Sequence, residues 1–274
     1  VVDVTRADGC HTYRIIGRIV NHILEVDGIN ASRKLCKPLR GVASARLNPV
    51  GINGESISGS IKTVSHILKK NLAVRELYEL HIVVVIHEFQ TCGVDLLQMA
   101  NSCTINNGLN GMTATLNAIR SAGIEPVGAY ATASELRSSK GYTITDIQGV
   151  KVAFVAFTKG LGGRGMPAGN ENLVNLLYTD YATEYKEIAR DRITEILKNV
   201  ETEKPDLTVA LLHWGSEYND DISKTQKSIV SLMQKQGVDV IIGTHPHTLQ
   251  PIVFDDMAGT LVAYSLGDFF GEAD

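Results

Sequence analysis

From residue 94 onward, short apolar runs alternate with segments whose apolar residues recur every three or four positions. Residues 94–100 read as a buried strand. Residues 111–122 place Met112, Leu116 and Ile119 at helical spacing, with Gly123 as the stop. Residues 126–130 suit a short strand. Residues 142–147 and 150–157, joined by the polar pair Gln148-Gly149, read as a hairpin. Residues 158–170 hold five glycines and Pro167 and read as a loop. The spacing then predicts a helix over 178–200, a strand over 207–212, a helix over 224–236 ended by Gly237, and a strand over 238–243. Residues 252–254 and 260–264 flank 255–259 as a second hairpin. The first third is less regular. Strands are expected at 1–6, 50–53 and 82–86 and a helix at 61–70, whereas 31–46 has no clean period.

Continuous apolar strands separated by helices indicate parallel strands covered on both faces. The two hairpins add antiparallel strands at the edges. The expected class is therefore α/β, a sandwich of mixed sheets. No internal repeat or low-complexity segment interrupts it, and a length of 274 residues suits one large domain or two small ones. We read residues 1–274 as one domain. The chain stops at Gly271-Glu272-Ala273-Asp274 directly after an apolar strand, which reads as the end of a fragment.

Composition adds mainly exclusions. With 44% apolar and 20% charged residues the chain is of ordinary globular type. A net charge of -4 leaves no basic excess to neutralise phosphates, which argues against nucleic acid or an anionic membrane as partner. Lys69-Lys70 and Arg33-Lys34 read as solvated faces. The four cysteines are scattered without a C-x-x-C pair, against a zinc knuckle or a disulfide scaffold. No apolar run reaches the length of a membrane span, and no basic-then-apolar signal segment stands at Val1.

The candidate chemistry sits where two apolar strands end. One strand runs straight into His213-Trp214-Gly215, and another into Thr244-His245-Pro246-His247. In open α/β sheets ligands bind outside the carboxyl ends of strands. A lone histidine there is usually a satisfied surface or core residue. Two such ends, one of them doubled, point to a divalent-metal site, because imidazole suits zinc, manganese and iron. Glu217, in the following loop, is a further candidate for binding metal or a substrate ammonium. A solvated acid, with Trp214 as core filler, is an equal reading. The loop from Lys159 to Gly165 can cradle an anion through its amides, with Lys159 and Arg164 adding charge; it lacks the Walker pattern, and the favoured reading is a flexible glycine loop beside the site.

These residues carry a resemblance. Leu211 to Tyr218, Gln226, Gly237 to His247, Gln250 and Tyr264-Ser265-Leu266-Gly267-Asp268-Phe269 occur in an order that resembles the CapA family of poly-γ-glutamate capsule-synthesis proteins, over about Phe89 to Phe270. That family resembles calcineurin-like metallophosphoesterases. The resemblance implies a four-layer α/β/β/α sandwich with divalent metal (Mn, Zn, Fe or Mg) at the strand ends. It implies metal ligands at Asp8, Asn53 and Glu55, beside His213, His245 and His247, and a possible carboxylate at Asp268. It aligns Ala100-Asn101-Ser102-Cys103 with the family's Ala-Asn-Asn-His. Asn101 then joins Cys103 and Glu217 as catalytic candidates, and Ser102 stands where a ligand asparagine is expected. A family aspartate further on is replaced by Asn106.

Trp214, Arg164 and Lys159 become substrate-binding candidates, with Arg164 facing a substrate carboxylate. Three readings of the departures at Ser102 and Cys103 stand side by side: lost hydrolysis with binding kept, an altered centre that uses Cys103, or an irregularity of the sequence here and in its first third. The resemblance further implies a bacterial surface or extracytoplasmic setting. The implied partners are an anionic polymer or its precursor and other capsule-synthesis membrane proteins. The implied activity is that of a metal-dependent hydrolase or transferase, the alternative being a non-catalytic polymer-binding or assembly protein.

Overall fold

A computed structural model describes residues 93–267, preceded by residues 23, 24, 86, 89 and 90. The elements expected at 1–6, 50–53 and 61–70, and Asp8, Asn53, Glu55 and Asp268, lie outside the described residues. Ile86 is helical and buried, so the strand expected over 82–86 does not run through it. A short apolar run does not by itself separate a strand from a buried helix.

Two sheets form. In the smaller one, β1 (Ile23–Leu24), β2 (Leu96–Gln98) and β3 (Glu125–Val127) lie side by side and parallel. The larger sheet holds β4 (Thr143–Ile147), β5 (Val150–Thr158), β6 (Leu207–His213), β7 (Val240–Thr244), β8 (Leu249–Asp255) and β9 (Thr260–Leu266) in the order β4-β5-β6-β7-β9-β8. β5, β6, β7 and β9 are parallel, and the hairpin partners β4 and β8 are the antiparallel edges. The expected mixed sandwich is therefore present, with both hairpins at the sheet edges.

Four helices lie within residues 93–267: α1 (Gly108–Ser121), α2 (Ala133–Ser139), α3 (Arg190–Thr202) and α4 (Lys224–Lys235). Strand alternation sorts the core into two clusters. Val152, Phe154 and Ala156 of β5 and Val209 and Leu211 of β6 pack with the small sheet and with Met112, Leu116 and Ile119 of α1. Their neighbours Ala153, Val155, Phe157, Ala210 and Leu212 pack on the other face against Ile193, Ile196 and Leu197 of α3 and Ile229 and Met233 of α4. The layers are helix, small sheet, large sheet, helices.

Four elements depart from the periodic reading. The helix expected over 178–200 begins only at Arg190. Before it the Asp180 carboxylate accepts from the amides of Lys186 (2.9 Å) and Glu187 (3.1 Å), and Tyr178 bridges Ile188 in antiparallel fashion. An aspartate that bonds forward to the backbone offers the chain an alternative to a helix. α2 carries no expectation, although its start is legible: Thr132 caps the Glu135 amide at 3.1 Å in a Thr-x-x-Glu spacing. The strands expected at 94–100 and 126–130 shorten to β2 and β3. Among the described residues, no helix is long and apolar enough to cross a membrane.

Candidate metal centre

β6 delivers the first histidine by simple alternation. Leu211 faces the small sheet and Leu212 faces the helices, so His213 ends the strand on the small-sheet side. His213 is fully buried and lies in register with Thr158 at the end of β5. The Thr158 hydroxyl donates to Gly160 O at 2.9 Å and lies 3.2 Å from His213 Nδ1. With its proton committed to Gly160, the Thr158 oxygen accepts from Nδ1–H. That hydrogen bond selects the tautomer protonated at Nδ1, in which Nε2 carries the ring lone pair.

The second strand end supplies two more imidazoles. β7 stops at Thr244, and His245 (φ 93°) and His247 (φ 60°) then adopt left-handed backbone on either side of Pro246. Such angles are uncommon outside glycine and cost on the order of 1–3 kcal/mol each, so the surrounding loops must impose them. The loop after β6 does so. Trp214 N donates to Thr244 O at 3.1 Å and Tyr218 N donates to Pro246 O at 2.7 Å. Gly215 (φ 74°) lets the two loops close, since a Cβ there would stand 3.2 Å from Pro246 Cγ.

The rings consequently converge. His213 and His245 centroids are 4.5 Å apart, and those of His245 and His247 are 6.3 Å apart. One donor atom from each of Glu217, His245 and His247 lies within 4.8 Å of the others. Glu217 Oε1 is 3.9 Å from His245 Nδ1. Tyr218 stacks on His247 with centroids 5.5 Å apart, a contact without a periodic signature in the sequence.

The electrostatics suit a cation ligand set. Burial, followed by the neighbouring His245, pushes His213 down to about 3. Burial, with the Lys159 ammonium adding and Glu217 opposing, pushes His245 down to about 4. Both imidazoles are neutral at pH 7, each with one ring N–H and one lone pair. Neutral imidazoles with one carboxylate match the donors that zinc, manganese or iron accept.

Other candidate residues are placed differently. Trp214 does not line the cleft: it is buried on the helix side, its indole N–H donates to Tyr264 O at 2.8 Å, and it stacks on Tyr264. Alternation turns it away from the face that His213 shares. Lys159 Nζ donates to Gly215 O at 2.6 Å and lies 5.0 Å from the Tyr185 ring centroid. Arg164 is exposed, with Nε 3.4 Å from Asn106 Oδ1. That pair ties the glycine loop to the turn after β2, where a Cβ on Gly162 would stand 3.2 Å from Ser102 O. The turn thus packs against the loop that follows β5. Within it Asn101 is buried and spends its Oδ1 on the Cys103 amide at 2.9 Å, Ser102 is half-buried, and Cys103 is exposed.

The class defined by the fold is an α/β/β/α sandwich, with imidazoles and a carboxylate gathered at its strand ends. More particularly, residues 75–272 match the family described as bacterial capsule synthesis protein PGA_cap, and the chain belongs to that family. It is 32% identical over 174 residues to the PGA biosynthesis protein CapA of Bacillus subtilis (strain 168), covering 64% of this chain and 42% of that one. It is 30% identical over 177 residues to the capsule biosynthesis protein CapA of Bacillus anthracis, covering 65% and 40%. The chain thus spans about two-fifths of the length of these curated relatives. Among solved structures, a putative 5'-nucleotidase from Staphylococcus aureus overlaps in part, at 14% identity and a TM-score of 0.45 over 67% of this chain and 34% of the other.

Proposed function

We propose that this chain is the metal-dependent hydrolase or transferase portion of a capsule-synthesis protein. Its substrate would be an anionic surface polymer of the poly-γ-glutamate kind, or a phosphorylated precursor of one. The observation that carries this reading is the convergence of Glu217, His245 and His247 beside buried His213. These four residues would hold the divalent ion, with Asp8, Asn53, Glu55 and Asp268 as further candidate ligands. When bound, such an ion polarises a phosphoryl or acyl oxygen and lowers the pKa of a bound water.

The chain's own groups do the rest. Thr158 holds the His213 tautomer, and exposed Glu217 supplies the carboxylate of the ligand set. Arg164, exposed on the glycine loop, would pair a substrate carboxylate. The names of the relatives speak of PGA and capsule biosynthesis, which supports a capsule substrate. On this reading the chain would work at the bacterial surface or outside the cytoplasm, with other capsule-synthesis membrane proteins as partners.

A second reading, a polymer-binding or assembly protein without turnover, is favoured by the turn after β2. There Asn101 Oδ1 accepts from the Cys103 amide, and exposed Cys103 offers no imidazole. The deciding experiment is elemental analysis of purified protein, followed by phosphodiesterase and polyglutamate hydrolysis assays with added manganese or zinc. Bound metal with turnover supports the enzyme. Bound polyglutamate with neither metal nor turnover supports the binding protein and overturns the first reading.

A further inference from the structure

A lysine side chain stands against the loop that joins His213 to Glu217. β5 ends at Thr158, and the next amide, that of Lys159, donates to His213 O at 2.7 Å. The Lys159 ammonium returns to the following loop and donates to Gly215 O at 2.6 Å, two residues from His213 and two from Glu217. Its other flank faces the Tyr185 ring at 5.0 Å. The side chain is half-buried, so its field is less screened than that of a surface lysine. His213, His245 and Glu217 all feel that charge. A carbonyl and a ring face occupy part of its donor capacity, and an ammonium has three N–H groups.

A cation here opposes a divalent ion electrostatically and attracts an oxyanion. Ordinary ligand shells place carboxylates or carbonyls, not ammonium groups, around the metal. We propose that Lys159 is a built-in cation of the metal centre, weakening the hold of the histidine cluster on a divalent ion and binding the anionic oxygen of the substrate beside it. This rests on the metal reading above and adds its substrate requirement: a phosphate or carboxylate oxygen next to the ion.

The test compares wild type with Lys159→Met, which keeps an unbranched stem against Tyr185, and Lys159→Arg, which keeps the charge. Calorimetry measures Mn²⁺ binding, then inorganic phosphate binding with Mn²⁺ saturating. The Met variant is expected to bind Mn²⁺ about tenfold tighter and phosphate about tenfold weaker, while the Arg variant stays near wild type on both. The opposite signs are the signature. Weakening of both ligands by Lys159→Met, as from a purely structural role, overturns the proposal, and so does an unchanged affinity for either. A wild-type protein that takes up no divalent ion defeats the metal reading itself. Failure of Lys159's role shows instead as the wrong order among three proteins that all bind Mn²⁺.

Discussion

The histidines illustrate how burial prepares a ligand. His213 and His245 sit at about 3 and about 4, against an ordinary value of 6.5. Between those values the unfolded chain binds protons that the native chain does not, so the metal-free protein loses stability as pH falls from about 6.5 towards 3. Above that window the contribution is constant. Urea unfolding of metal-free protein should show a midpoint that drops between pH 7 and pH 5, and His245→Gln should remove part of the drop. An unchanged pH dependence in that variant would show that burial of His245 is not its source. His247→Ala removes a donor from the 4.8 Å group and should weaken Mn²⁺ binding by about a hundredfold or more, read by calorimetry.

At the level of elements, the site is held by contacts between strand ends and the start of one helix. α4 begins with a capping box in which Ser223 and Gln226 satisfy each other's amides. Gln226 Nε2 then donates to Gln250 Oε1 at 3.0 Å, and Gln250 Nε2 donates to Asn219 O at 2.9 Å, which ties the helix to the loop bearing Glu217. Ser223→Ala should cost about 1 kcal/mol of stability in chemical denaturation. Gln226→Leu leaves the buried Gln250 oxygen without its donor and should cost about 1–3 kcal/mol while also weakening Mn²⁺ binding. Gly243 in β7 is a tighter constraint. A Cβ there would stand 2.0 Å from Tyr264 O and 2.3 Å from Trp214 Nε1. Gly243→Ala should therefore lower Tm by several degrees, with loss of the Trp214–Tyr264 bond visible as a shift in the fluorescence of Trp214, the chain's single tryptophan.

At the scale of the molecule, the central parallel strands β5, β6 and β7 of the large sheet are buried on both faces and open at one end, whereas the edge strand β8 is largely exposed. That arrangement makes the carboxyl ends of β5, β6 and β7 the meeting place of loops that are distant in sequence. An ion that binds only the folded chain stabilises it by mass action, about 2.7 kcal/mol at a hundred times Kd. Manganese or zinc should raise the Tm of wild type in a concentration-dependent way and leave His247→Ala much less affected. Differential scanning fluorimetry with a metal titration checks this, and an equal rise in both proteins would place the ion elsewhere.

The sequence alone determined the mixed α/β sandwich, the two edge hairpins and the strand-end placement of His213 and His245, because periodicity records which face of an element is covered. It also carried the family, through the His-Trp-Gly and His-Pro-His blocks. Only the tertiary structure decided that Glu217 joins His245 and His247, that Trp214 turns into the helix-side core, that residues 178–189 fold around Asp180, and that Lys159 reaches Gly215. These depend on the register between β5, β6 and β7 and on left-handed backbone at two histidines. Neither has a local pattern, because both arise from contacts between strand ends that only the folded sheet brings together.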